Sequence, residues 1–154
     1  MNLPAEIADA CAPLFGALPL DQTMHRLVGS RPHHVELVER VLEHPALTDR
    51  PELAAGLWLY VDDLDRSHTI SQGIDDATGS YWHGIMHRRE GDFSNSHYWM
   101  RRVAAHPLLV SHPELDPDGL IDQVATEKGL DSPALVERQR NEWMTLFEWC
   151  ASQS

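Results

Sequence analysis

His83 and His87 stand four residues apart, and Glu90 follows three residues later. On a helix such positions stack on one side, so the two imidazoles lie about one turn apart and can chelate a single metal ion. Gly84 follows His83, so the H-E-x-x-H pattern of zinc metalloproteases is absent. Glu90 is then either a third ligand or a general base. A third histidine comes from upstream. Leu57, Val61, Leu64 and His68 follow spacings of four, three and four, which is one stripe of a helix, and Gln72 continues it. His68 and Gln72 therefore fall on the side expected to be buried, with Asp65 at its edge. Downstream, Asn95, Trp99, Arg102, Val103 and His106 share a helix face, while His97 and Arg101 point away. Buried polar groups are costly unless paired, so three consecutive helices that each turn polar residues inward mark a candidate site.

The elements that must position these residues are helical. Alternating β-branched runs are absent, and the pattern predicts helices over 33–43, 52–72, 79–89, 94–105 and 120–128. A last helix follows Ser132 as N-cap and Pro133 at the first helical position. One or two short helices are expected before Pro32. Trp82, Ile85 and Met86 form the apolar side of the 79–89 helix. The expectation is a single all-α domain over 1–154, with five to seven helices. Arg40-Val41, His44-Pro45-Ala46-Leu47 and Pro51-Glu52-Leu53 recur in order and spacing as Arg102-Val103, His106-Pro107-Leu108-Leu109 and Pro113-Glu114-Leu115. Two related helical hairpins would produce that pattern, and chance would too. His44 and His106 are read as helix C-terminal residues, where a cation favours the dipole.

The chain has 154 residues and a net charge of -12, opposite to what a nucleic acid or an anionic membrane attracts. No apolar stretch reaches the length of a membrane span. Residues 1–20 lack the basic n-region of a signal peptide, so a cytoplasmic location is expected. Cys11 and Cys150 lie far apart with no C-x-x-C, which removes thiolate zinc in its usual spacings and leaves free thiols. Within this acidic chain, residues 78–106 hold Arg88, Arg89, Arg101 and Arg102 against Glu90 and Asp92 only. A locally basic segment suits a small anionic ligand, and equally suits pairing with acidic helices nearby.

The segments SHTISQ (67–72), TGSYWHGIMHRREGD (78–92) and YWMRR (98–102) resemble a group of bacterial proteins to which no activity is attached. The resemblance carries no function across. Ferritin-like carboxylate bundles, which use Glu-x-x-His on two helices, are a poor match, since Asp65-x-x-His68 is the nearest approach.

Three readings follow. In the leading one the chain is a small enzyme. His68, His83 and His87 bind a divalent metal, Zn²⁺ or Fe²⁺, with Glu90 or Asp65 completing or orienting the shell. Arg102, with Arg88 and Arg89, holds an anionic substrate group, and Gln72, Asn95, Trp82 and Trp99 line the pocket. In the second reading no metal binds and His87 or His83 performs acid–base chemistry tuned by Glu90. In the third, the inward polar groups form a structural network in a non-catalytic interaction protein. A homodimer is compatible with all three.

Overall fold

Proline and aspartate begin most of the helices. In the computed structural model, which describes residues 1–153, Pro51, Pro107, Pro117 and Pro133 open helices at a position that needs no N–H. Asp63, Asp76, Asp92 and Asp116 each accept a hydrogen bond from the backbone N–H three residues on, the N-cap geometry. The helices are α1 (Ala5–Ala17), α2 (Val35–Leu42), α3 (Pro51–Tyr60), α4 (Leu64–Ser71), α5 (Ala77–Glu90), α6 (Phe93–Val103), α7 (Pro107–Ser111), α8 (Pro117–Thr126) and α9 (Pro133–Ser152). Short 3₁₀ turns cover Leu20–Gln22, Pro45–Leu47 and Pro113–Leu115, and no strand occurs among the described residues. The all-α expectation holds, with nine α-helices among the described residues where five to seven were expected.

One of the extra helices comes from a break in the expected 52–72 helix. After α3 closes, Asp62 takes a left-handed φ of 62°, a conformation Asp tolerates better than most residues. The Asp62 carboxylate is held by Arg89, and Asp63 caps a new helix, α4. Leu57 and Val61 therefore do not share a stripe with Leu64 and His68. The direction of His68 is set by α4 alone.

His44 and His106 also differ from expectation. Each precedes a proline as an N-cap, with ring Nδ1 accepting from Ala46 N (3.2 Å) and Leu108 N (3.1 Å). An accepting Nδ1 must carry a lone pair, so these bonds need the neutral ring rather than a cation. The sequence repeat is structural through the helix ends at Arg40-Val41 and Arg102-Val103 and the His-Pro turn, and not beyond. Pro51 opens α3, whereas Pro113–Leu115 is a 3₁₀ turn.

Helix α5 is buried on every side from Thr78 to Arg89. Two glycines allow its neighbours in. A Cβ on Gly56 of α3 would lie 2.9 Å from both Trp82 of α5 and Phe147 of α9. A Cβ on Gly84 would lie 2.7 Å from Met100, and the Gly84 carbonyl accepts from Ser96 Oγ (2.6 Å), so α6 lies tight against α5. Gly91, at φ 88°, closes α5 in the left-handed conformation that glycine adopts most readily, and α6 folds back along it. A central helix with no solvent face must find partners for each polar residue it carries. Tyr81 and Arg88 meet Glu142 of α9, Arg89 meets Asp62, Thr78 meets His106, and His83 and His87 face α4 and α6. Cys11 and Cys150 are free and buried, and burial pushes the Cys11 thiol up to about 12.

Candidate functional site

Three imidazoles converge where α4, α5 and α6 pack as consecutive antiparallel neighbours. The ring centre of His68 is 4.7 Å from that of His83 and 5.5 Å from that of His87, and His83 and His87 are 4.8 Å apart. Each ring offers a nitrogen within 4.8 Å of the other two, a group that could hold a metal ion. Bonds from imidazole to zinc are about 2.0–2.1 Å, so three nitrogens that share one ion lie within about 4.2 Å of one another, somewhat closer than the limit met here. His68 is partly exposed, while His83 and His87 are buried.

The surroundings of His83 favour its neutral form. Burial, then the neighbouring His87 and His68, pushes the His83 pKa down to about 4, so its ring is neutral near pH 7. Its Nδ1 is buried with no hydrogen-bond partner. Trp99 of α6 stacks on the His83 ring at 4.0 Å, with the planes 19° apart. Nδ1 of His87 lies 2.6 Å from Glu90 Oε1. The carboxylate accepts from Nδ1–H, so Nε2 is the His87 nitrogen that could reach a metal.

On the Glu90 side the site reaches solvent. Glu90 is exposed, and His87, Glu90 and Asp92 also offer atoms within 4.8 Å of one another. Asp92 was not picked out from the sequence as a site residue. Its signal was present in its position just after Gly91 and three residues before Asn95, the place of an N-cap. Asn95 is tied to Asp92 by its backbone N–H (3.2 Å) and by Nδ2 (3.3 Å), so it serves the cap of α6.

One turn away in the other direction is a polar cleft of about 420 Å³. Gln72, Asp75, Asp76, Ser80, Trp99 and Arg102 contribute to its walls. Gln72, Trp99 and Arg102 were expected at the site, and Asp75, Asp76 and Ser80 were not. Trp99 joins the two regions, since it both lines the cleft and covers His83. Arg102 is exposed rather than turned inward. Its guanidinium lies over the Trp99 ring at 5.3 Å and near Tyr98 at 6.0 Å.

Four other expected residues lie elsewhere. Arg88 is 0% exposed and paired with Glu142 at 2.7 Å, and Arg89 is 1% exposed, bonded to Asp62 and the Leu59 carbonyl. Both guanidinia are committed inside the core, so they are not free to hold a substrate. Trp82 is fully buried against Gly56 and does not line the cleft. Asp65 is exposed on α4 and stands outside the three-histidine group.

Comparison with protein-family models, with curated proteins and with solved structures finds no match. Among the described residues no helix is long and apolar enough to cross a membrane. The class the fold and site define is an all-α domain with a three-histidine group that could hold a metal.

Proposed function

We propose that this chain is a small metal-dependent enzyme. His68, His83 and His87 hold one divalent ion, zinc or ferrous iron, and a small substrate with an anionic group enters by the cleft beside them. The observation that carries the reading is the convergence of three imidazoles from α4 and α5, with a carboxylate on the outer nitrogen of one. Three histidines leave coordination positions open, as catalytic sites do and closed structural sites do not. A bound ion supplies Lewis acidity and lowers the pKa of its water.

The chain's own residues supply the rest. Glu90 accepts the Nδ1–H of His87, fixes its tautomer and strengthens it as a ligand. Trp99 shields His83 from water. Arg102, over the Trp99 ring, presents a guanidinium to an incoming anionic group. The acidic net charge supports a partner other than nucleic acid, and the buried free thiols support a reducing, cytoplasmic location.

The 2.6 Å contact between His87 and Glu90 also supports a metal-free reading, in which His87 is an acid–base catalyst tuned by Glu90. Metal content of the untagged protein by mass spectrometry separates the two. The wild type is expected to carry about one equivalent of metal, as a single three-histidine centre requires. The His83→Ala/His87→Ala variant should carry none while keeping its helical circular dichroism. Wild-type protein that takes up no metal after loading with Zn²⁺ and with Fe²⁺ would overturn the metal reading.

A further inference from the structure

The cleft carries both signs of charge, and neither is neutralised within the fold. Arg102 makes no ion pair among the described residues, and neither do Asp75 and Asp76. Asp76 uses one oxygen to accept the Gly79 N–H at 2.9 Å and keeps the other. Ser80 is only 7% exposed and lines the cleft, yet its hydroxyl has no hydrogen-bond partner among the described residues. The residue is largely enclosed while the hydroxyl itself stays open to the cleft, so it is available to a ligand. Gln72 adds an amide at the same wall.

We infer that the cleft takes a dipolar molecule with a carboxylate at one end and an ammonium at the other, the class of free amino acids and their short derivatives. The carboxylate meets Arg102 against Trp99, the ammonium meets Asp75 and Asp76, and Ser80 bonds the substrate between or beside them. The inference rests on the reading of the cleft as the substrate's way to the histidine centre.

Electrostatics favours this class over a simple anion. The whole chain carries -12, and the cleft sets two carboxylates against one guanidinium. The field of an acidic protein disfavours the approach of a net anion, whereas a molecule of zero net charge satisfies both signs locally. The size agrees as well. A cleft of about 420 Å³ exceeds what a lone inorganic ion needs and falls within the range of small-molecule pockets. Ser80 precedes His83 by three residues on α5, and Trp99 touches the His83 ring, so a molecule lying across the cleft is held beside the histidine group.

The test follows the indole N–H of Trp99 in ¹⁵N-labelled protein, assigned with a Trp99→Phe variant, in metal-free and in zinc-treated samples. The probes are L-alanine, β-alanine and 4-aminobutanoate, against butanoate and butylamine. At least one aminocarboxylate should shift the signal saturably. Butanoate and butylamine should bind about tenfold more weakly or worse, the loss of one charge-assisted contact. Arg102→Gln and Asp75→Asn should each weaken the aminocarboxylate by a similar factor. Equal binding of butanoate or butylamine, or no saturable shift with any aminocarboxylate, would overturn the inference. Zinc uptake is scored separately in the same samples. A protein that selects aminocarboxylates without taking up zinc loses the metal reading only, and one that takes up zinc without selecting them loses this inference only.

Discussion

Replacing Glu90 by glutamine should weaken zinc binding by about tenfold. The Glu90 carboxylate receives the Nδ1–H of His87 at 2.6 Å, and glutamine can keep an acceptor oxygen there while losing the charge. Removing such an outer partner of a metal-bound histidine typically costs 10–100-fold in affinity, or about 1.4–2.8 kcal/mol. The Glu90 side chain is 42% exposed, so water screens part of its field and the lower end applies. Glu90→Ala loses acceptor and charge together and should fall further, towards the upper end of that range. His87→Ala should lose more still, because a ligand is gone. The assay is competition for zinc against a chromophoric chelator at fixed pH, with helicity checked by circular dichroism. If both Glu90 variants bind zinc within about twofold of wild type, Glu90 does not support the ligand set in the way argued.

The remaining predictions concern the polar core around α5 and its far end. Arg88→Met leaves Glu142, which is 1% exposed, as an unpaired buried charge, and should cost about 3–5 kcal/mol in urea unfolding. The Arg88→Met/Glu142→Gln double variant should regain most of that, because the glutamine oxygen still accepts from the Tyr81 hydroxyl, which now bonds Glu142 at 3.3 Å. A single variant within about 1 kcal/mol of wild type would contradict the buried-pair account. His106 supplies the pH dependence. Burial holds its pKa below 6.5, partly opposed by Asp76, and its Nδ1 must stay unprotonated to cap α7. A lowered folded-state pKa means that the unfolded chain binds the extra proton first. Stability is therefore full above the ordinary histidine value and is lost as pH falls below 6.5 towards the folded value. His83 acts in the same direction in the metal-free protein. Urea unfolding free energies from pH 7.5 down to 5 should decline in wild type and decline less in His106→Asn, whose side chain can still cap. Equal slopes for the two proteins would remove His106 from the account.

Local chemistry made much of the site legible. His83 and His87 share a side of α5 because four residues span about one turn of any α-helix, whatever packs against it. Gly91 and the capping aspartates likewise mark α5 and α6 through contacts made within a few residues. Gly84 was visible only as a departure from a metalloprotease motif, and its reason lies in Met100 and Ser96 of the next helix.

The sequence by itself determined the all-α class, the paired imidazoles on one helix, and the polar character of three consecutive helices. Tertiary structure decided what each polar residue meets. The 52–72 stripe failed because Asp62 is held by Arg89, a residue that follows it by almost thirty positions. Arg88 and Arg89 went inside and Arg102 stayed out because Glu142 and Asp62 await the first two, while Arg102 found only aromatic rings. Helical periodicity specifies the angle between side chains around one axis. It does not specify which helix packs on each side, and α5, buried all round, has no solvent face from which to infer the others. His68 joined its partners for the same reason, because the packing of α4 on α5 brought its ring within reach.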